Sequence, residues 1–240
     1  MQVLALQGLP LIKPGDDLAG LILAAADLRA GDVIVVASKV VAKAQGRLVD
    51  PATVTPCAQA EDLALATGKD PRIVEIILRD SVAVSRAAPG VLIVRHRLGH
   101  VCANAGIDQS NAGGGGRIAL LPDDPDGWAA ELRLRAPLDI GVIVSDSVGR
   151  PFRRGALGTA LGVAGLPALV DYRGRQDLDD RPLEHSEAPL ADVLAAAADL
   201  VMGQAAEATP AAIVRGVDCV GAGDGRAADL QRPPASDLYA

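Results

Sequence analysis

The fold is decided first by residues 31–43, which have the sequence GDVIVVASKVVAK. Five consecutive apolar residues follow a Gly-Asp pair, and this pattern predicts a turn that leads into a buried strand over residues 33–37. Outward from this stretch, apolar runs predict further strands at residues 91–94, 141–144 and 211–214. Helical spacing of apolar residues predicts helices at residues 16–29, 58–67, 191–206 and from 71 to about 78. Strands and helices mix without strict alternation, which favours a mixed α/β (α+β) fold over a simple doubly wound sheet.

The bulk composition narrows the class of protein. The chain has 240 residues, half of them hydrophobic, 2% aromatics and a formal net charge of -7. An acidic chain lacks the basic surface of a nucleic-acid binder, and no apolar run reaches the roughly 20 residues of a membrane helix. The three cysteines are widely spaced and the N-terminus lacks a basic signal-peptide region, so we expect a cytoplasmic protein without disulfides or a zinc site. We expect residues 1–220 to form one catalytic domain, or two intertwined subdomains, and residues 221–240 to form a flexible tail.

Asn104 to Asn111 is the first segment that can carry chemistry. Gly106 permits a tight backbone turn, after which Asp108 and Asn111 offer oxygen ligands three residues apart. Hard cations such as Mg²⁺ and Mn²⁺ prefer such oxygens. An equally weighted alternative is a polar turn in which the Asp and Asn side chains bond their own backbone.

A second segment, residues 145–155, follows the predicted strand at 141–144. Asp146 comes just past an apolar strand, where α/β folds tend to bind their ligands, and Ser147 adds a hydroxyl. Arg150, Arg153 and Arg154 supply dense positive charge, which suits phosphate or carboxylate binding. The alternative is a solvated loop with surface arginines.

Two further positions have weaker functional signals. Ser38, Lys39 and Lys43 stand at the end of a strand, where lysines can hold phosphates, although Ser38 as the N-cap of an exposed helix is the more common arrangement. Gln204 extends an apolar helix face that runs through Val193, Ala197, Leu200 and Val201. A polar side chain on a buried face needs a partner, which is a metal, a ligand or an ordinary backbone group.

The sequence contains neither a P-loop nor a Rossmann phosphate-binding motif. Taken together, its segments resemble the coenzyme F420-0:L-glutamate ligase family, also called F420:γ-glutamyl ligase, over nearly the whole length. The matching segments are residues 8–16, 38–47, 103–111, 121–125, 146–153, 171–174 and 200–204. The number and order of these motifs make the resemblance specific. It implies the non-Rossmann, non-P-loop fold of that family.

The resemblance also implies an activity and a set of site residues. The enzyme would use GTP to add L-glutamate to F420-0, and then a γ-linked glutamate to F420-1, through an acyl phosphate, with Mg²⁺ or Mn²⁺ (two divalent ions), K⁺ and a homodimeric assembly. The implied divalent-metal ligands are Asp108, Asp146, Ser147 and Gln204. The implied GTP contacts are Leu9, Pro10, Leu11, Ile12, Ser38, Lys39, Lys43 and Asn111. Charge alone adds Arg150, which with Arg153 would hold substrate carboxylate or phosphate, so we expect Asp108, Asp146 and Arg150 to be catalytic.

Some positions depart from the family pattern. Val193 replaces a usual Glu, Ala156 replaces a polar residue, Trp128 replaces a small one, and the Gly113–Gly116 run is unusual. These departures leave the acceptor open. A metal-dependent phosphohydrolase, a ligase for a different carboxylate, and a non-catalytic nucleotide- or cofactor-binding module are the alternatives, and intact Asp108, Asp146 and Ser147 argue against the last.

Overall fold

The structure, a computed structural model, describes residues 1–110 and 115–236. The helices are α1 (Leu18–Ala25), α2 (Ser38–Ala44), α3 (Ala58–Thr67), α4 (Pro71–Arg79), α5 (Pro125–Arg135) and α6 (Leu190–Met202). The strands are β1 (Gln2–Ala5), β2 (Val33–Ala37), β3 (Leu48–Val49), β4 (Ser81–Ala88), β5 (Val91–His96), β6 (Val101–Ala103), β7 (Ile118–Ala119), β8 (Gly141–Arg150), β9 (Arg153–Ala164), β10 (Val170–Asp171), β11 (Glu187–Ala188) and β12 (Ala211–Arg215). This mixture of helices and several sheets confirms the predicted mixed α/β fold class.

A five-stranded sheet in the order β1-β12-β2-β8-β9 forms the centre of the molecule. β2 and β8 run parallel, whereas the other neighbours in this sheet are antiparallel. The first four residues of β2, Val33 to Val36, are fully buried, as expected of a central strand covered on both faces. The parallel pair places the carboxyl ends of β2 and of the apolar part of β8 side by side.

Helices cover both faces of this sheet. One apolar core joins α1, α2 and α5 to one face through residues such as Ile22, Val41 and Leu132, and a second core joins α6 to the other face. α6 lies close to β9 because Gly158 carries no side chain: a Cβ there would come within 2.6 Å of the Ala195 carbonyl oxygen. The helix therefore packs through small residues.

A smaller unit lies beside the central sheet. It consists of α3 and α4 against the antiparallel sheet β4-β5-β6, with its own apolar core. An ionic network fastens it to the chain segment after α2: Arg47 contacts Asp80 at 2.8 Å and Asp123 at 3.2 Å, and Arg97 contacts the same two carboxylates at 3.2 and 2.6 Å. This network fixes the unit that carries the 104–110 segment relative to α2.

Most predicted elements are confirmed, with changes at their ends. The helix over residues 58–67 and the strand over 33–37 have the predicted bounds, whereas the helix predicted over 16–29 spans only Leu18–Ala25 and that over 191–206 spans Leu190–Met202. The segment 145–150 is not a loop, because β8 continues through it to Arg150 and turns into β9. Cross-strand pairing of β8 with β9 extends the hairpin beyond the apolar stretch that the sequence marks.

The apolar face predicted for α6 is wrong. Val193 and Leu200 are 57% and 85% exposed, and the buried residues are Ala191, Leu194, Ala195, Ala198 and Met202. The close approach to β9 at Gly158 favours alanines such as Ala195 at the contact, and Val193 and Leu200 lie on the outer side of the helix. Gln204 consequently does not continue a buried helix face; it follows the helix end and is exposed.

The segment after residue 220 makes several contacts in its described part. Gly225 donates to the Leu166 carbonyl at 2.9 Å, the Gln231 amide donates to the Leu98 carbonyl at 3.0 Å, and Ala227 is buried. The boundary at residue 220 and the flexibility of the tail stay predictions. In the part of the chain that the structure describes, no helix is long and apolar enough to cross a membrane.

Candidate active site

A cavity of about 1050 Å³ opens at the carboxyl end of β2, beside the continuation of β8. β2 pairs with β8 only as far as Ala37 opposite Ser145, because the chain then turns into α2. Beyond Ser145, the described residues supply no strand to that edge of β8. The cavity occupies this open edge, and it is bounded by the 9–13 loop, α2, the 106–110 segment and the 203–210 loop that follows α6.

A sharp turn carries Asp108 to the cavity. Asn104, Ala105 and Gly106 all have positive φ, at 54°, 53° and 68°, and a Cβ at Gly106 would lie 2.9 Å from the Leu121 side chain. The expected role of Gly106 in a tight turn is therefore confirmed. Left-handed backbone at two non-glycine residues in succession is costly and is tolerated where the surroundings enforce it. Asp108 is held in turn by two backbone hydrogen bonds with Ala119 of β7, at 2.9 and 2.8 Å.

Asp108 faces Lys39 from α2. Its Oδ2 lies 2.6 Å from the Lys39 Nζ, and its Oδ1 accepts a hydrogen bond from the Ser110 backbone N–H at 2.6 Å. Burial favours the neutral carboxyl, but the hydrogen bonds from Lys39 and Ser110 outweigh it, so the pKa of Asp108 is lowered. The local Asx turn foreseen as the structural alternative is present, and the same carboxylate also faces the cavity.

Asp146 is the second carboxylate of the site. Its Oδ1 accepts a hydrogen bond from the Ser38 hydroxyl at 3.0 Å. Burial, helped by the charge of Asp108, raises the pKa of Asp146 to about 6, against the opposing hydrogen bonds from Ser38 and the Ser147 backbone and the charge of Lys39. The two carboxylates thus repel each other across the cavity, an arrangement that a bound cation would relieve.

Ser147 and the end of α6 form the opposite side of the cavity. Side chains alternate along a strand, so Ser147 points to the sheet face that α6 covers, whereas Asp146 points towards α2. Ser147 stands opposite Gly158 in the β8–β9 register, and the Asp199 carboxylate accepts a hydrogen bond from the Gly158 N–H. Asp199, Ser147 and Gln204 all line the cavity. The cavity therefore reaches around the edge of β8 and is lined from both faces of the sheet.

Comparison with known proteins gives the same family as the resemblance. The profile of the F420-0:Gamma-glutamyl ligase family matches residues 8–216. The chain belongs to this family. A coenzyme F420:L-glutamate ligase of Methanopyrus kandleri is 50% identical over 86% of the chain and 83% of its own length. Enzymes of the same description from Methanothermobacter thermautotrophicus and Methanocaldococcus jannaschii are 43% and 39% identical over the whole chain, covering 98% and 96% of their own lengths.

The cavity brings together most of the residues that the family resemblance implicates. Those that line it are Leu9, Pro10, Leu11, Ile12, Lys39, Lys43, Asp108, Asp146, Ser147 and Gln204. Of the remaining candidates, Ser38 and the charge-based Arg150 lie away from the lining, and Asn111 is not among the described residues. Ser38 is 2% exposed and supports Asp146 from behind, and Arg150 lies at the outer end of the β8–β9 hairpin. Their ligand contacts stay predictions.

Sequence reasoning missed three charged residues of the cavity, Lys13, Asp199 and Glu207. Lys13 follows the 9–12 loop directly and belongs to a motif that was already noted. Asp199 lies within the helix predicted over residues 191–206. Asp192 stands seven residues before it, and that spacing places both carboxylates on one helix face; this was the available signal.

The donor set fits a small hard cation. Within the described residues, no three His, Cys, Asp or Glu side chains gather into a ready-made metal site. Asp108, Asp146, Ser147 and Gln204 nevertheless offer only oxygen donors, two of them from carboxylates that repel each other. Mg²⁺ and its relatives commonly bind through one or two carboxylates together with waters and substrate phosphates. Such a site does not require three acidic side chains.

Of the departures from the family pattern that fall on described residues, one lies in the cavity lining. Ala156 lines the cavity, and a small side chain at that position leaves room beside Ser147. Val193 is on the outer side of α6, where its side chain is 57% exposed. The missing acidic group at position 193 thus lies away from the cavity, and Ala156 is the departure that bears on substrate.

Proposed function

We propose that this chain is a GTP-dependent coenzyme F420-0:L-glutamate ligase. Membership of the F420-0:Gamma-glutamyl ligase family and the names of its relatives support a coenzyme F420:L-glutamate ligase in coenzyme F420 biosynthesis. One structural observation supports the nucleotide- and metal-dependent reaction. Segments spread from residue 9 to residue 210 meet in one cavity, and they bring four carboxylates and three lysines to the same space. That combination suits a metal-assisted reaction of a phosphorylated nucleotide with a carboxylic acid.

The first step requires activation of a carboxylate, which is a poor electrophile. The acceptor carboxylate oxygen would attack the γ-phosphorus of GTP, and the bond to the bridging oxygen would break as GDP leaves. Lys13, Lys39 and Lys43 would hold the phosphates by charge, and the 9–12 loop would seat the nucleotide. Divalent ions held by Asp108, Asp146, Ser147 and Gln204 would neutralise charge on the transferring phosphoryl group.

The second step forms the amide. The amine of L-glutamate would attack the acyl phosphate, and inorganic phosphate would leave. The product F420-1 has a free glutamate carboxylate, so the same two steps would add a second glutamate in γ-linkage. Arg150 and Arg153 at the outer end of the hairpin, about 10 Å along β8 from Ser147 by strand geometry, would contact outlying anionic groups of the acceptor.

Further parts of the proposal concern the environment of the enzyme. K⁺ would assist the reaction, as the family resemblance implies. A homodimer would cover apolar side chains now exposed on the outer side of α6 and at the hairpin turn, where Leu200 is 85% and Phe152 91% exposed. All three cysteines are free, which suits a reducing cytoplasm.

The deciding experiment is incubation of the purified protein with F420-0, GTP, Mn²⁺ and L-glutamate, followed by mass analysis. We expect products heavier by one and then two glutamate residues, formed only when all four components are present. ATP in place of GTP tests the nucleotide, and EDTA tests the metal. Release of phosphate from GTP without acceptor or glutamate would instead identify a phosphohydrolase and overturn the ligase proposal.

A further inference from the structure

The phosphoryl-transfer chemistry gives no task to two acidic side chains of the cavity, Asp199 and Glu207. Glu207 accepts a hydrogen bond within its own loop, from the Ala205 N–H at 2.8 Å, whereas Asp199 lies against β9 beside Ser147. Asp199 sits in the last turn of α6, on the face of the sheet opposite to Asp146. Its carboxylate accepts a hydrogen bond from the Gly158 N–H, and Gly158 is the partner of Ser147 in the β8–β9 register. A Cβ at Gly158 would lie 2.9 Å from the Asp199 Cγ, so the carboxylate is held against the strand.

No described lysine, arginine or histidine forms a salt bridge with Asp199. Lys39 pairs with Asp108 instead. The cavity lysines come from the 9–13 loop and α2, on the other side of the β8 edge. Burial raises the pKa of Asp199, which makes the carboxylate a better proton acceptor than an exposed aspartate.

An amino-acid substrate carries a positive group that can pair with Asp199. Its α-amine is a cation at neutral pH, and it must lose a proton before its lone pair can attack an acyl phosphate. We propose that Asp199 binds the ammonium group of the incoming amino acid and takes its proton. This assignment rests on the proposed ligase function, and it divides the cavity into a phosphate side with the lysines and an amine side with Asp199.

The proton and electron balance is complete without a further reactant. One proton passes from the ammonium nitrogen to the Asp199 carboxylate, and the freed lone pair forms the C–N bond to the acyl carbon. The C–O bond to the phosphoryl group breaks, and phosphate leaves with that electron pair. The second nitrogen proton leaves with the phosphate as the amide forms, and Asp199 returns its proton to solvent.

The chain supplies a matched control in Asp192. It lies two turns earlier on the same face of α6, its Oδ1 accepts a hydrogen bond from the Ala160 N–H of β9 at 2.8 Å, and burial raises its pKa too. Asp192 is absent from the cavity lining. Asp199→Asn and Asp192→Asn therefore make the same change in the same helix–strand contact, and only the first removes a carboxylate from the cavity.

The test compares two nucleophiles with the full-length protein, F420-0, GTP and Mn²⁺. Hydroxylamine is uncharged at neutral pH and traps an acyl phosphate as a hydroxamate without prior loss of a proton. We expect Asp199→Asn to lower kcat/KM for L-glutamate by about 100-fold and to keep hydroxamate formation and the KM for GTP within about twofold of wild type. Asp192→Asn should keep both reactions, and raising the pH should restore part of the glutamate activity of Asp199→Asn.

Several outcomes would overturn the assignment. Wild-type glutamate kinetics in Asp199→Asn would show that the carboxylate is not used. Equal loss of hydroxamate and glutamate product in Asp199→Asn, or equal losses in both variants, would show a structural role. A wild-type protein that forms neither product would overturn the ligase function itself, a result that the variants cannot mimic.

Discussion

Buried aspartates lie at both ends of the central sheet, and their pKa values are shifted in opposite directions. At the amino end of β2, Asp32 is 1% exposed, and both of its oxygens accept hydrogen bonds from Arg215, at 2.8 and 2.7 Å. At the carboxyl end, Asp146 accepts hydrogen bonds from the Ser38 hydroxyl and the Ser147 backbone N–H. The nearby Asp108 repels it, and Lys39 attracts it. The pKa of Asp32 is lowered and that of Asp146 is raised to about 6.

This difference separates stability from function. A carboxylate with a bidentate arginine has its charge compensated within the fold. At Asp146, burial and the Asp108 charge outweigh the attraction of Lys39, whose ammonium group pairs with Asp108. Binding sites in α/β folds concentrate at the carboxyl ends of parallel strands. An aspartate at the amino end of β2 is thus stabilised by an arginine. The aspartate at the carboxyl end is destabilised by burial and by a second carboxylate, and a divalent cation would relieve this.

The largest expected effect is that of Asp146→Asn on catalysis. We expect glutamate ligation to fall by on the order of a thousandfold, because the variant loses one of two carboxylates that would hold the metal ion. Thermal unfolding in EDTA should show a Tm equal to or above that of the wild type, since the substitution removes a destabilised buried charge. Ligation near the wild-type rate, or a clear loss of stability, would contradict the contrast between the two ends.

Asp32→Asn makes the same substitution at the amino end of β2. We expect it to lower the stability of the protein and to leave ligation unchanged. It leaves Arg215 without its full charge partner, and loss of one member of a buried pair costs about 3 kcal/mol, or roughly 10 °C in Tm for a chain of this size. Ligation by the folded protein should match wild type, because Asp32 is remote from the cavity lining. Denaturant unfolding and steady-state kinetics measure the two quantities, and a fall in kcat without unfolding would contradict the separation.

The loss of stability at acid pH tests whether the pKa of Asp32 is lowered in the folded protein. Burial opposes ionisation of Asp32, but the Arg215 hydrogen bonds prevail, so the folded pKa is below the ordinary 3.8. The stabilisation from Asp32 is therefore present above pH 3.8 and is lost as the pH falls towards the folded pKa. We expect the difference in unfolding free energy between wild type and Asp32→Asn to be constant from pH 7 to about 5 and to shrink below pH 4. A difference in unfolding free energy that grows as the pH falls would contradict a lowered pKa of Asp32.

The sequence predicts the chemistry of the site better than its architecture. Asp146 and Lys39 follow apolar strands directly, so the sequence predicts that each stands at a strand end; the structure adds that the two strands are parallel neighbours. Gly106 predicts the turn before Asp108 because positive φ is a local requirement. These features depend on a few consecutive residues, which is why pattern reasoning reaches them.

Features that depend on contacts between distant segments were not predictable in the same way. The burial of α6 through alanines follows from its distance to Gly158 of β9, which no helical periodicity contains. The extension of β8 to Arg150 follows from its pairing with β9. Asp199 was missed for the same reason, since its exposure to the cavity is decided by where α6 ends relative to Ser147.

The smallest expected effect comes from a third ion pair, which isolates the part played by burial. Arg135 of α5 contacts both oxygens of Asp17 at 2.6 and 2.7 Å, and its hydrogen bonds lower the pKa of Asp17 to about 2, but both side chains are well exposed. The geometry matches that of Asp32 with Arg215, while the environment is water. We expect Arg135→Ala to lower Tm by less than about 3 °C, and the loss should vanish in 1 M salt, because solvent and ions screen an exposed pair. A loss as large as that of Asp32→Asn would mean that bidentate geometry alone secures the amino end, and burial would no longer explain why the two ends of the sheet differ.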